Sequence, residues 1–150
     1  MSRIQTSLLV EAPASQVFQL LTDPAALPEL LAPVIEVELQ SGLQELSRGS
    51  EVTYLMSRFG FCQQVRLRVE ELVVGRRMTY RQTLGLFKEW IHTVRCEEVT
   101  EGQTLVTDSV EYQLPLGVLG LLLSDVWVRR DMEGVLRHRL LRARDRLSQL

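Results

Sequence analysis

The sequence predicts an α+β protein in which an antiparallel sheet packs against one long C-terminal helix. Between residues 34 and 114, apolar and polar residues mostly alternate with a period of two, as they do in strands with one buried face. The turns between these segments are short, which favours an antiparallel meander. From residue 124 onward the pattern changes to a helical period with one apolar stripe. Such a stripe has to be buried, and the sheet is the surface that can cover it.

The chain begins with a strand and two short helices. The stretch "IQTSLLVEAP" alternates and ends at Pro13, which predicts a first strand from about Ile4 to Val10. In "PASQVFQLLTDP" the apolar residues suit one face of a short helix that ends at Pro24. The stretch "PAALPELLAP" predicts a second short helix, bounded by Pro24 and Pro33 and interrupted near Pro28.

Six more strands follow, and a long helix closes the chain. The strand segments are "VIEVELQ", "EVTYLMSRF", "CQQVRLRVEELV", "RRMTYRQTL", "EWIHTVRCEEV" and "TLVTDSVEYQL", with turns at Gly60 and Gly75. Ser124 or Asp125 can cap the start of the helix. The apolar stripe of the helix consists of Met132, Leu136, Leu140, Ala143, Leu147 and Leu150.

Composition and charge are those of an ordinary globular protein. The chain has 150 residues, 45% hydrophobic and 24% charged, which predicts one domain spanning residues 1–150. A net charge of −2 argues against nucleic acid as a partner. Cys62 and Cys96 fall on strands too far apart for a disulfide, so two free thiols and a cytoplasmic location are expected, with no evident signal peptide. The longest nearly uncharged apolar run, Leu114 to Leu123, is ten residues and too short to span a bilayer.

The element order resembles that of the START-like superfamily, in which a curved seven-stranded antiparallel sheet grips a long C-terminal helix. The stretch "LLVEAPASQVFQLLTDPAALPELL" is similar to the opening strand and helices of its polyketide cyclase/dehydrase and lipid-transport family. The stretches "EWIHTVRCEEVTEGQTLVTDSVEYQLPLGVLG" and "VRRDMEGVLRHR" resemble that family's late hairpin and the start of its long helix. The resemblance implies the helix-grip fold and a cavity between sheet and helix. The chain departs from the family pattern at Val94, where relatives often carry a second histidine, and in "ALPELL", where many have tryptophan.

The hairpin formed by "EWIHTVRCEEV" and "LVTDSVEYQL" places a histidine on an apolar strand face. A two-residue turn would pair Thr100 with Gln103 and set the apolar row of one strand opposite the polar row of the other. A three-residue turn pairs Thr100 with Thr104 and brings both apolar rows to one face, so burial favours this register. The pairs then expected are Trp90 with Leu114, His92 with Tyr112, Val94 with Val110 and Cys96 with Asp108.

In this register His92 and Tyr112 face the long helix as cross-strand neighbours, roughly 5 Å apart at Cβ. Asp108 also faces inward, but about 13 Å along the strand from Tyr112, so no His–Asp pair is expected within the hairpin. His92 is interpreted either as an interior histidine bonded to Tyr112 or to a trapped water, or as a polar contact in a ligand pocket. An inward carboxylate at Asp108 needs a partner, usually an arginine or a backbone amide.

The neighbouring strand adds Tyr80 and Gln82 to this inward face. Apolar side chains with a few hydrogen-bonding tips are typical of ligand sites, and also of an ordinary core. The candidate catalytic residues are His92 and Tyr112. With two histidines, two cysteines and no metal-type spacing, neither a metal nor another cofactor is expected. The candidate ligand-binding residues are Tyr80, Gln82, Trp90, His92, Val94, Asp108, Val110, Tyr112, Met132 and Leu136.

Two further features each allow two interpretations. Seven arginines from Arg129 to Arg146 lie mostly off the apolar stripe of the long helix. They form either a solvated face or a basic face that makes transient contact with a membrane. The apolar linker "LPLGVLGLLLSD" is either a plug at the end of the core or a movable lip. As a lip it would work with Leu86 and Phe87 to admit a ligand or to touch a membrane.

Three functions are compatible with these features. The sequence favours a binding or transport protein for a small hydrophobic molecule, such as a lipid, a polyketide or an aromatic compound. The second is a cyclase or dehydratase-like enzyme that uses His92 and Tyr112 as acid and base. The third is a protein-interaction module with a vestigial cavity. None of these patterns indicates an oligomeric state.

Overall fold

The computed structural model describes residues 1–42, 45–115 and 124–149. Seven strands and three α-helices occur there, with a 3₁₀ turn at Pro24–Ala26. The elements are β1 (Ser2–Val10), α1 (Ala14–Thr22), α2 (Leu27–Leu31), β2 (Glu36–Ser41), β3 (Glu51–Arg58), β4 (Phe61–Val73), β5 (Arg77–Leu84), β6 (Glu89–Thr100), β7 (Gln103–Gln113) and α3 (Asp125–Leu147).

The strands form one antiparallel sheet in the order β1-β7-β6-β5-β4-β3-β2. The predicted α+β architecture is therefore confirmed, including the two short helices after the first strand. The first strand lies beside the last because the chain crosses from β1 through α1 and α2 to the far edge before the meander begins.

Helix α3 packs against the whole width of the sheet. Val128 and Leu136 share a packed cluster with β1 and β7, and Leu140 shares another with β4, β5, β6 and β7. Val135 lies in a third cluster with residues of β2 and β3. Seven strands at about 4.8 Å spacing span roughly 29 Å, whereas a helix with its side chains is about 10–12 Å wide. One helix can reach both edges only if the sheet curves around it, which is the helix-grip arrangement.

Helix α3 begins where the sequence predicted. The Oγ of Ser124 accepts a hydrogen bond from the backbone N–H of Trp127 at 3.0 Å, so Ser124 is the N-cap and Asp125 lies in the first turn. A carboxylate there is favourable because the helix dipole is positive at its N-terminus. Of the predicted stripe, Leu136, Leu140 and Ala143 are buried. Leu150 and most of the apolar linker, residues 116–123, lie outside the described residues.

The β6–β7 hairpin corrects the predicted register. Thr100 pairs with Gln103 across a two-residue turn, but a bulge between Glu98 and Thr100 then shifts the pairing by one residue. Because of the bulge, the apolar rows of both strands lie on the same face of the sheet. The sequence predicts a three-residue turn as the source of this arrangement. The predicted register is wrong by two residues, and the observed pairs are Trp90 with Tyr112, His92 with Val110, Val94 with Asp108 and Cys96 with Val106.

Two smaller expectations concern the thiols and the membrane. Cys62 is exposed, Cys96 is buried and both are free, as predicted. Within the described ranges, no helix has the length and apolar character needed to cross a bilayer.

Candidate functional site

A buried polar cluster connects the hairpin to α3. Asp108 is fully buried, and its two carboxylate oxygens have different partners. Oδ1 lies 2.9 Å from Nε2 of His92, and Oδ2 accepts a hydrogen bond from Nη1 of Arg139 at 2.8 Å. Arg139 also donates from Nη2 to the carbonyl oxygen of Leu21 in α1 at 2.6 Å. The cluster therefore holds β6, β7, α1 and α3 together through hydrogen bonds.

The contact between His92 and Asp108 contradicts the prediction that they lie too far apart to pair. The two-residue change in register brings Asp108 opposite Val94, which places it diagonal to His92 on the same face. Diagonal neighbours in a sheet are within reach of long side chains. His92 does face inward as predicted, and only 9% of its surface is exposed.

Arg139 is a site residue that sequence reasoning missed. It was grouped with the other helix arginines, which were expected to lie mostly off the apolar stripe, yet it is only 4% exposed. A signal was present, because Arg139 follows Leu136 by three residues and precedes Ala143 by four, which places it on the apolar stripe. It is also the arginine partner that an inward Asp108 was expected to need.

The charges in this cluster compensate each other. Burial alone would raise the pKa of Asp108, but the charges of Arg139 and His92 and their hydrogen bonds hold this pKa below its ordinary value. Asp108 is therefore an anion at neutral pH and accepts from both partners. Since a carboxylate cannot donate, Nε2 of His92 carries the proton in this contact, and Nδ1 is left with its lone pair when the ring is neutral.

Two tyrosines lie close to this cluster beneath α3. The rings of Tyr80 and His92 are 5.9 Å apart at their centroids, on paired positions of β5 and β6. Burial raises the pKa of both Tyr54 and Tyr80, and the charge of Arg139 offsets only part of that rise. Both hydroxyls therefore stay protonated at neutral pH and can donate hydrogen bonds. Tyr54 was not among the predicted residues, although the alternation of β3 places it on the same face as the buried Val52.

A second group of predicted residues surrounds Tyr112 near the start of α3. Phe87 packs at 4.9 Å from the ring of Trp90 and 5.6 Å from that of Tyr112. The Tyr112 hydroxyl donates to Oδ1 of Asp125 at 3.0 Å and not to His92. The amide of Gln82 donates to the carbonyl oxygen of Phe87 at 2.9 Å and thereby holds the β5–β6 turn.

This second group lies at the edge of the described core. Trp90 and Met132 are only partly buried, although both pack against buried residues of the sheet and α3. The remaining predicted residues, Val94, Val110 and Leu136, are buried in the clusters on either side of the polar contacts. The predicted set is thus divided into a buried polar part and a partly buried apolar part. Over the described ranges, no three His, Cys, Asp or Glu side chains come together as metal ligands would.

Comparison with known proteins places this architecture in a family. A model of the family "polyketide cyclase/dehydrase and lipid transport" matches residues 1–148. The chain belongs to this family. A search of curated proteins found no match.

Solved structures of the family's fold are similar over nearly the whole chain. A START superfamily protein from Mycobacterium smegmatis is 14% identical with a TM-score of 0.76, covering 98% of this chain and 97% of its own. The protein XoxI from Bacillus cereus is 21% identical with a TM-score of 0.70, covering 97% and 94%. The Zhui aromatase/cyclase from a Streptomyces species is 17% identical with a TM-score of 0.71, covering 96% and 89%. At these identities the likeness shows the START-like fold.

Proposed function

We propose that this family member binds a small, largely apolar molecule in the space between the sheet and α3. The observation that supports the proposal is the mixed composition of the side chains between the sheet and α3. Three apolar clusters surround a few polar groups, among them Tyr54, Tyr80 and His92, which do not lie at the outer surface. Sites for small ligands have this composition.

The partly buried mouth supports a route by which the molecule enters. Phe87, Trp90 and Met132 are partly buried and apolar, and we take them as the mouth of the binding site. Gln82 holds the turn that carries Phe87, so a small movement of this turn widens the mouth. The predicted contribution of the linker at 116–123 falls outside the described residues and stays a prediction.

Tryptophan fluorescence can test this proposal because the chain has two tryptophans in different environments. Trp90 lies at the mouth, whereas Trp127 is 50% exposed on the first turn of α3. The variant Trp127→Phe reports on Trp90, and Trp90→Phe is the matched control. Titration with 1-decanol is expected to shift the emission of Trp90 to shorter wavelength and to leave that of Trp127 unchanged. Equal shifts in both variants, or none in either, would contradict binding at this site.

Native mass spectrometry of the protein purified from its own host provides the complementary measurement. A retained small molecule that is released on unfolding is expected. A protein that is empty in every preparation, and that gives no Trp90 response, favours an interaction module instead.

An enzyme of the cyclase or dehydratase type is the second candidate, and the contact between His92 and Asp108 favours it. A carboxylate that holds one imidazole nitrogen leaves the other free to act as a base. Its partner in proton transfer would be Tyr80 rather than Tyr112, because the hydroxyl of Tyr112 is bonded to Asp125. Conversion of a poly-β-ketone substrate by the wild type, and its loss in His92→Gln, would establish the reaction. Binding of that substrate without turnover would exclude it.

A further inference from the structure

Three polar atoms beneath α3 have no hydrogen-bond partner in the part of the chain that the structure describes. They are the hydroxyl oxygens of Tyr54 and Tyr80 and the Nδ1 of His92. These residues are 5%, 9% and 9% exposed, respectively. Buried polar atoms are nearly always paired, so this concentration in one place calls for a partner.

The three atoms border accessible space. Among the described residues, only Nε of Arg77 and Nε of Arg139 are both sealed and unpartnered. The unpartnered tyrosine hydroxyls and Nδ1 of His92 therefore retain accessible surface, even though their residues are buried. Tyr54 and Tyr80 also lie close enough to each other, and to Arg139, for these groups to affect one another's pKa.

The charge of this region decides which partner fits. Arg139 is paired with Asp108 at 2.8 Å, and its remaining Nε is sealed. A ligand carboxylate would be buried beside the carboxylate of Asp108, which already occupies Arg139 and His92, and it would have no counter-charge of its own. A hydroxyl or a carbonyl carries no net charge, and the tyrosines can donate to its oxygen.

We infer that the ligand is an uncharged molecule that buries a hydroxyl or carbonyl oxygen against Tyr54, Tyr80 and His92. A hydroxyl group would accept from a tyrosine and donate to Nδ1 of His92. A carbonyl would accept from one or both tyrosines. This inference rests on the proposed binding function and specifies the chemistry of its ligand.

Four probes with the same bicyclic ring separate the alternatives: naphthalene, 2-naphthol, 2-acetylnaphthalene and 2-naphthoate. Calorimetric titration at pH 7.5 is expected to show 2-naphthol and 2-acetylnaphthalene binding about fivefold or more tighter than naphthalene, as one or two neutral hydrogen bonds would give. The anionic 2-naphthoate is expected to bind on the order of tenfold more weakly than 2-naphthol.

Matched tyrosine variants locate the effect. Tyr80→Phe and Tyr54→Phe remove only an oxygen and are expected to reduce the preference for 2-naphthol over naphthalene while leaving naphthalene affinity unchanged. Thr93→Val is the control, because it also removes one hydroxyl, which is paired with that of Thr79 and points away from His92 on the same strand. The preference is expected to persist in that variant. Circular dichroism confirms that each variant is folded before the titration.

Two kinds of result would overturn the inference, and they have different consequences for the proposed binding function. If naphthalene and 2-naphthol bind equally, if 2-naphthoate binds most tightly, or if the Tyr80→Phe and Tyr54→Phe variants both keep the full preference, the uncharged-oxygen site is wrong while the binding function stands. If none of the four probes binds to the folded wild type, the proposed function itself is wrong and this inference fails with it.

Discussion

At the scale of single residues, Asp108 holds the buried polar cluster together. Asp108→Asn would leave the guanidinium of Arg139 buried without an opposite charge. Breaking a buried pair in this way costs about 3–5 kcal/mol in the free energy of unfolding. Urea unfolding followed by circular dichroism measures the loss. The double variant Asp108→Asn/Arg139→Met, which removes both charges, is expected to recover part of it.

The control for this prediction is Asp145→Asn, a substitution on the exposed surface of α3. Asp145 pairs with Arg144 at 3.6 Å, and its side chain is 64% exposed. Its loss is expected to change the free energy of unfolding by no more than about 0.5 kcal/mol. Equal effects of the two substitutions would show that the Asp108 pair contributes no more than a surface contact.

Asp108 also predicts how stability depends on pH. Its pKa is lowered in the folded protein because Arg139 and His92 outweigh the opposing effect of burial. The unfolded chain therefore binds a proton first as the pH falls, near the ordinary aspartate pKa of about 4. The stability supplied by ionised Asp108 is complete above that pH and is lost as the pH falls through the lower pKa of the folded state.

The measurement is the free energy of unfolding at a series of pH values from about 6 down to about 2.5, a range that covers this transition. Other carboxylates contribute equally to the wild type and to Asp108→Asn/Arg139→Met, so the difference between the two curves isolates the cluster. The wild type is expected to lose stability more steeply below about pH 4. Parallel curves would contradict a lowered pKa at Asp108.

At the scale of secondary-structure elements, replacing either of two glycines with alanine is expected to change the free energy of unfolding in opposite directions. Gly85 lies in the β5–β6 turn, where an added Cβ would be 2.4 Å from Oε1 of Gln82. Gly85→Ala therefore displaces the amide that holds Phe87, and we expect a loss of about 1–2 kcal/mol. Gly134 lies inside α3 with no atom within 4 Å of an added Cβ. Gly134→Ala is expected to gain about 0.5–1 kcal/mol because alanine loses less backbone entropy in a helix.

Thermal unfolding of the two alanine variants measures both signs under one set of conditions. Destabilisation by Gly134→Ala would show that the fold requires a glycine at this position of α3. A neutral Gly85→Ala would show that Gln82 does not hold the turn.

At the scale of the whole molecule, one helix is packed against all seven strands. We therefore expect the sheet and α3 to unfold together, as they would in the single domain that the sequence predicts. Far-ultraviolet circular dichroism and tryptophan fluorescence are expected to give the same midpoint. Leu140→Ala, which cuts a side chain only 1% exposed, is expected to lower both midpoints together. Two separated transitions would contradict a single cooperative unit.

Most of the fold could be predicted because it depends on local periodicity. Alternation marked the strands, proline positions bounded the short helices, and the change of period placed the start of α3 at Ser124. The inward direction of His92 followed from the same alternation. These features depend on which residues are apolar, and the order of residues along the chain contains that information directly.

The sequence by itself determined the elements and the identity of the inward-facing residues, but only the tertiary structure decided which of them meet. The two-residue turn and the bulge between Glu98 and Thr100 together keep the apolar rows on one face, and each pair differs by two positions from the predicted register, so burial alone could not distinguish the registers. The depth of Arg139 depends on the rotation of α3 against the sheet, and the contact of Asp108 with both His92 and Arg139 depends on register and rotation together. Such contacts join residues 16 and 31 positions apart, and no local pattern specifies their distance.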